Sequence, residues 1–253
     1  MTDDFGDWRI EAVTSITQDV PPAFPGGPSF KTGDRLYLTT LTRTSKNELI
    51  GFTTPNASSL AMNVAFSAAK RAVELKAQFS FKQGPSPLGT SSSIASDQND
   101  LLFSFFESSL VCITFSFQAL EAFCNYSISR TWRKPVEVKK GKKKETLHHE
   151  AAERSISTED KLKSILPKIY DVPTPSGKAI WERFIKLKRA RDACVHIKYQ
   201  DQYPLDQIDQ ESLFFQFLDN DPLLFPTVAA EMIAYFYSKQ NQPRWLQLMP
   251  TAV

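Results

Sequence analysis

The run RARDACVH (189–196) brings a guanidinium, a carboxylate and an imidazole together as Arg191, Asp192 and His196. An imidazole with a reference pKa of about 6.5 exchanges protons at neutral pH, and a guanidinium offers a planar donor fork that fits an oxyanion. Asp192 and His196 are four residues apart, so on a helix they lie one turn apart on one face. There the carboxylate can accept a ring N–H, set the imidazole tautomer and favour its charged form. Arg191 and His196 are five apart, and a straight helix points them in different directions. Either the helix loosens before His196 or a second subunit completes the site. A plainer reading stands beside both. A His near a helix C-terminus caps the dipole, an Asp four residues earlier is an ordinary pair, and an Arg in an apolar stripe snorkels.

The element that must position these residues is TPSGKAIWERFIKLKRARDACVHIK (174–198), which reads as an amphipathic helix. At about 100° per residue, Ile180, Phe184, Leu187 and Cys194 fall on one stripe that includes Arg191. Asp192 and His196 fall roughly 140–180° away, beside Trp181 and Ile185. Two apolar faces imply burial against the chain's own core on one side and a partner on the other, which favours the second-subunit solution. Between Lys178 and Lys198 there are seven Lys/Arg against two acids. That local positive charge suits a polyanion, with Lys188, Arg189 and Lys198 placed to touch phosphates flanking the motif.

The other expected elements are mostly helical. LLFSFFESSLVCITFSFQALEAF (101–123) lies in a long helix over about 98–132, capped by Ser96 or Asp97 and apolar nearly all round. STEDKLKSILPKIY (157–170) opens on Ser157 or Thr158 as a cap, with Pro167 kinking or ending it, and PLLFPTVAAEMIAYFYSK (222–239) is the last long helix. The first ~95 residues differ. VPPAFPGGPSF (20–30) is loop chemistry, RLYLTTLTRTS (35–45) reads as a strand paired with ELIGFTT (48–54) across SKN, and 56–79 reads as a helix capped by Asn56. Leu60, Val64, Ala68, Ala72 and Leu75 form its apolar face. QGPSPLGTSSSIASDQ (83–98) reads as a linker, which divides the chain into an accessory region, 1–95, and a helical domain, 96–253.

Composition narrows the function classes. A hydrophobic fraction of 42% with 19 Phe suits a folded soluble core, and a net charge of +2 sets up no global basic field. Cys112, Cys124 and Cys194 form no CxxC pair and read as reduced core thiols. The acidic start MTDDFGDWRIEAV does not resemble a signal peptide, and Glu107 and Glu121 argue for a buried helix over a membrane span, so a soluble cytoplasmic protein without membrane contact is expected. From Arg133 to Lys144 there are seven Lys/Arg against one Glu. This run reads as a charged loop (131–155), either a solvated connection or an arm whose 139–144 lysines reach a polyanion. His148 and His149, with Glu145 and Glu150 nearby, make no convincing metal set, and no cofactor is expected.

At Arg191-Asp192-Ala193-Cys194-Val195-His196 the chain resembles the HEPN domains of prokaryotic and eukaryotic ribonucleases and toxins, whose signature is Arg, a polar residue, a spacer of three and a His near the end of the third main helix. FSFQALEAFCNYSISR (115–130) resembles their first long helix, where an ALEAF-x-N stretch recurs, and the likeness spans about residues 96–240. It implies a mainly α fold, a helical bundle of about four long helices, and a homodimer whose motif helices face each other across one composite cleft. It implies metal-independent endoribonuclease activity, yielding 2′,3′-cyclic phosphate and 5′-hydroxyl ends. His196 would act as general acid/base, Arg191 would hold the phosphate and Asp192 would orient one of them. It further implies a toxin or defence effector with RNA such as tRNA or mRNA as substrate, and an antitoxin or inhibitor protein as a restraining partner. The alternative within the family is a catalytically silent dimer that binds RNA, a nucleotide or a protein. Two departures stand out: the polar position is Asp and not the commoner Asn, and Tyr199 lies three residues after His196 where some members carry a modifiable Tyr two residues after.

Overall fold

The computed structural model describes residues 6–86, 89–131, 135–140, 143–202, 212–238 and 241–250. The N-terminal segment builds two small antiparallel ladders, β1 (Val13–Ser15) with β2 (Arg35–Tyr37) and β3 (Thr39–Arg43) with β4 (Leu49–Thr53). The expected strand 35–45 is thus split at Leu38, one half pairing backwards and the other forwards. The turn between β3 and β4 uses SKN, with Asn47 at φ 68°, a conformation Asn tolerates better than most residues.

Helix α1 (Ala57–Lys76) starts where a side chain can satisfy its free amides. Asn56 Oδ1 accepts from the Ser59 N–H at 2.9 Å, while its Nδ2 donates to Glu11 at 2.6 Å. The buried face of α1 is Ala61, Met62, Ala65, Ala69, Ala72 and Leu75. Of the expected face, Ala72 and Leu75 are buried, Val64 and Ala68 are half-buried, and Leu60 stays exposed. Alanines let two helix axes approach closely, and that approach to the next helix decides the face.

The described residues of the expected linker 83–98 fall largely in a hairpin and a 3-10 turn. Strands β5 (Phe81–Ser86) and β6 (Gly89–Ile94) make an antiparallel hairpin, and Gln98 clamps its base by accepting from the Ser80 N–H and donating to the Gln78 carbonyl. Helix α2 (Asn99–Tyr126) follows a short 3-10 turn at Ser96–Gln98, and neither Ser96 nor Asp97 caps it. Ser109 and Ser116 are buried in α2 because their hydroxyls donate back to the Phe105 and Cys112 carbonyls. By length and composition α2 passes for a membrane span. In this fold it is the hub of the core, with Phe105, Ile113, Phe117, Leu120 and Phe123 buried in a cluster shared with α1 and the later helices. Because α1 and α2 share one core, packing is continuous across residue 95.

A π-turn, Ser127–Thr131, ends α2. The expected loop 131–155 holds a hairpin, β7 (Val136–Lys140) with β8 (Lys143–Leu147), and helix α3 (His149–Ser155). Segment 157–170 is one helical run in three geometries: α4 (Thr158–Asp160), a π-turn at Lys161–Ile165, and α5 (Leu166–Tyr170). Ser157 caps it, accepting from the Asp160 N–H. Pro167 sits in the first turn of α5, where its missing N–H costs least.

The motif helix is α6 (Ala179–Val195), shorter at both ends than expected. It is followed by α7 (Tyr199–Gln202), α8 (Leu213–Asp219), α9 (Leu224–Tyr235) and α10 (Arg244–Leu248). One cluster joins α1, α2, α6, α8, α9 and α10 through residues such as Phe184, Phe217, Met232, Phe236 and Trp245. The fold is mainly α, and α1, α2, α6 and α9 are its longest described helices.

Candidate functional site at the end of helix α6

Helix α6 is held by Phe184, Leu187, Ala190 and Cys194, all buried. Phe184 stacks on Phe117 of α2 with ring centres 6.3 Å apart, and Trp181 packs on Phe184 at 5.1 Å. Trp181 and Ile185 are half-buried against this same core. The second apolar face expected to await a partner is therefore largely covered by the chain itself. Exposed apolar surface appears instead at the C-terminal end of α6, as Val195 (54% exposed), Ile197 (46%) and Tyr199 (72%).

Arg191 lies against α2 as its place in the apolar stripe implies. Its guanidinium carbon is 3.9 Å from the centre of the Phe117 ring, a cation–π contact, and its side chain keeps 28% exposure. Nη1 is 3.3 Å from Asp192 Oδ1. Nε is buried, with no hydrogen-bond acceptor among the described residues.

His196 is the first residue past the helix. With φ −120° and ψ 62° it has left helical geometry, and its backbone N–H donates to the Asp192 carbonyl at 2.9 Å. Its side chain is exposed. The helix ends before His196, which is the loosening that one of the two solutions to the five-residue spacing calls for. The pairing allowed by the four-residue spacing is replaced, since the Asp192 carboxylate bonds Arg191 and only its backbone carbonyl meets His196.

The expected RNA contacts divide. Lys188 Nζ donates to Glu159 at 2.7 Å, so it ties α6 to α4 and is not a free phosphate ligand. Arg189 and Lys198 are exposed. The Lys198 N–H bonds the buried Asp201, which also accepts from the Leu213 N–H. Cys194, inside the motif, is buried, and burial pushes its thiol up to about 12, so it stays protonated and unreactive. Burial has the same effect on Cys112, up to about 12, and raises Cys124 further.

Two features escaped the sequence reading. Phe117, the seat of Arg191, sits in the ALEAF-x-N-like segment and differs in no visible way from its neighbouring phenylalanines. Lys161 is fully buried, donating to Asn125 Oδ1 at 2.7 Å and to the Glu153 carbonyl at 2.6 Å. Burial lowers its pKa below the usual lysine range. Asn125 is the Asn of that same segment, so its role here is to hold a buried cation. A cleft of about 400 Å³ lined by Gly6, Asp7, Trp8, Asn63 and Leu248 contains none of the motif residues. Among the described residues no cluster of three or more His, Cys, Asp or Glu is arranged to hold a metal ion. Comparison with protein-family models, curated proteins and solved structures finds no match to this chain.

Proposed function

We propose that this protein is an endoribonuclease of HEPN type that needs no metal and works as a homodimer. The observation that carries the reading is the end of α6. A guanidinium is seated on Phe117 and paired with Asp192, and an imidazole stands exposed on the first residue outside the helix. RNA brings its own nucleophile. One His196 takes the proton of the ribose 2′-hydroxyl as the 2′-oxygen bonds phosphorus. The bond from phosphorus to the 5′-oxygen breaks, and the partner's His196 returns a proton to that oxygen. The products are a 2′,3′-cyclic phosphate and a 5′-hydroxyl. Arg191 holds the phosphate oxygens as negative charge grows on them. Asp192 orients Arg191, to which it is bonded, and not His196. The exposed Val195, Ile197 and Tyr199 lie beside His196, where a dimer face would bring two imidazoles to one phosphate. A restrained cytoplasmic toxin or defence effector, acting on tRNA or mRNA, is the role this activity fits.

One observation favours the catalytically silent alternative. The Asp192 carboxylate already occupies Arg191 Nη1 and places a negative charge where phosphate must approach. The test is cleavage of a mixed RNA pool containing tRNA in excess EDTA, with analysis of the new ends. Cleavage leaving cyclic phosphates, lost in His196→Ala and Arg191→Ala while the dimer persists, supports the enzyme. Equal cleavage by all three proteins sinks the assignment.

A further inference from the structure

Helix α6 carries its cations on two kinds of surface. Along its flanks they are already matched. Arg183 bonds Glu231 of α9, Lys188 bonds Glu159 of α4, and Arg191 lies on Phe117 beside Asp192. Lys178, just before the helix, donates to the Tyr235 hydroxyl. The other two, Lys186 and Arg189, are exposed and form no hydrogen bond or ion pair among the described residues. At about 100° per residue, Glu182, Lys186, Arg189, Ala193 and His196 occupy one stripe about 80° wide. It is the solvent face of α6: Ala193 is half-buried and the other four are exposed. His196 has left helical geometry, yet its N–H still bonds the Asp192 carbonyl four residues back, so the stripe reaches its position. At about 1.5 Å per residue, Arg189 stands about 9 Å and Lys186 about 13.5 Å along the axis before Val195, the last helical residue. Between Arg189 and His196 the stripe holds only Ala193, which raises no long side chain across the path. Glu182, one turn before Lys186, ends the basic part with an acid.

We infer that this stripe is the track of the RNA strand, with Arg189 and Lys186 binding phosphates on one side of the bond being cut. The inference rests on the ribonuclease reading for its choice of polyanion and for a phosphate beside His196. At about 3.4 Å of rise per stacked nucleotide, the two cations meet phosphates about three and four nucleotides from that one. A nucleic-acid strand presents its charges in single file, which is the form of this stripe. An acidic protein surface spreads its charges over an area, and the flanking cations that would widen the stripe to match are neutralised by Glu159 and Glu231. Contacts to phosphate carry no sequence information, so the track binds any single strand long enough to reach it. A dinucleotide is too short.

The experiment changes Lys186 and Arg189 together to Gln, which keeps helix propensity. A control changes Lys70 and Arg71, exposed on α1, to Gln, an equal loss of charge elsewhere. Binding of a labelled single-stranded RNA is measured over a range of salt in His196→Ala protein, so that no cleavage is needed. The stripe variant is expected to lose about fivefold or more in affinity at low salt, and its salt slope should fall by about 1.4, at roughly 0.7 per phosphate contact. The α1 variant should keep both. With His196 intact, the stripe variant should show a raised KM for a long oligonucleotide and an unchanged KM for a dinucleotide, a split that a general loss of structure does not give. Unchanged affinity and slope in the stripe variant overturn the inference, as does an equal loss in the α1 variant or an equal rise in KM for the dinucleotide. So does a parent protein that binds no RNA but binds polyglutamate through Lys186 and Arg189. The ribonuclease reading fails separately: stripe-dependent RNA binding by a protein that never cleaves in EDTA upholds the track and sinks the enzyme, while His196-dependent cleavage of a long oligonucleotide with an unaltered KM in the stripe variant does the reverse.

Discussion

Replacing Phe117 by Leu removes the ring beneath the Arg191 guanidinium while leaving an apolar side chain of similar bulk. Two interactions go. The first is the cation–π contact at 3.9 Å. Such contacts run from about 0.5 kcal/mol when exposed to about 2 when desolvated, and Arg191, with Nε buried and the whole side chain 28% exposed, sits between these limits at about 1–1.5 kcal/mol. The second is the stack on Phe184, worth about 0.5–1.5 kcal/mol. Phe117→Leu should therefore destabilise by about 1.5–3 kcal/mol, of which only the first part depends on Arg191. A double-mutant cycle with Arg191→Met, followed by urea unfolding of all four proteins, isolates that part as a coupling of about 1–1.5 kcal/mol. The single variant should also cleave RNA more slowly than the parent, with His196 untouched, because the guanidinium has lost its seat. Additive effects within about 0.5 kcal/mol, together with undiminished cleavage by Phe117→Leu, would refute the claim that α2 positions Arg191.

Other substitutions probe neighbouring parts of the argument. Asp192→Asn frees Arg191 Nη1 from a carboxylate and removes a charge that repels phosphate. Single-turnover cleavage should rise about two- to fivefold, corresponding to about 0.5–1 kcal/mol for a partly exposed pair, and a fall would show that the carboxylate is needed. Asn125→Ala leaves the buried Lys161 ammonium short of an acceptor and should cost about 1–3 kcal/mol in urea unfolding, whereas Lys161→Met should be close to neutral. Because burial lowers the Lys161 pKa in the folded state, the unfolded chain binds the proton more readily, and stability rises with pH from that lowered value up to about 10.4. Parent stability measured against Lys161→Met should thus improve on the alkaline side, and a difference that stays flat or shrinks there would contradict the burial. Asn56→Ala should cost about 1 kcal/mol for the lost cap, with more from the broken tie to Glu11, read as a lower urea midpoint.

The features legible from sequence are those decided within a few residues. Asn56 and Ser157 cap their helices because a short side chain reaches the amide three residues on, and no distant contact is required. The SKN turn is legible for the same reason. The buried face of α1 is legible only in part: Ala72 and Leu75 are buried as expected, whereas Leu60 is exposed and Ala61, Met62, Ala65 and Ala69 are buried in its place. The hairpin β5–β6 runs through a Ser-rich segment with no alternation to betray it, and the brief alternation Val136-Glu137-Val138-Lys139 of β7 is outweighed by the Lys-rich run that follows. Helix α8 is too short for a period to emerge. At the site, the residue types and the lodging of Arg191 in an apolar stripe are visible in the sequence. The pairing of Asp192 is not, because the four-residue rule assumes that the helix continues through His196.

That helix end also sets the terms on which phosphate can be bound. The N-terminus of a helix attracts anions through its free amides, whereas the C-terminus presents unsatisfied carbonyl oxygens and the negative pole of the dipole. A motif at the C-terminal end of α6 therefore gains nothing from the backbone in holding RNA, and the Asp192 carboxylate adds to the deficit. Every favourable charge must come from side chains. Arg191 is the one held rigid, by Phe117 on one side and Asp192 on another. Arg189 and Lys198 are exposed but unlocked, and Lys188 is already spent on Glu159. The position that makes phosphate binding costly is also the one that frees the imidazole. Inside α6 the His196 side chain would follow the helical wheel, whereas past Val195 its backbone turns away and leaves the ring exposed. In the proposed reaction, a proton-transfer group that must meet a flexible strand stands where the helix has stopped, and the guanidinium one turn earlier stands where it packs on Phe117.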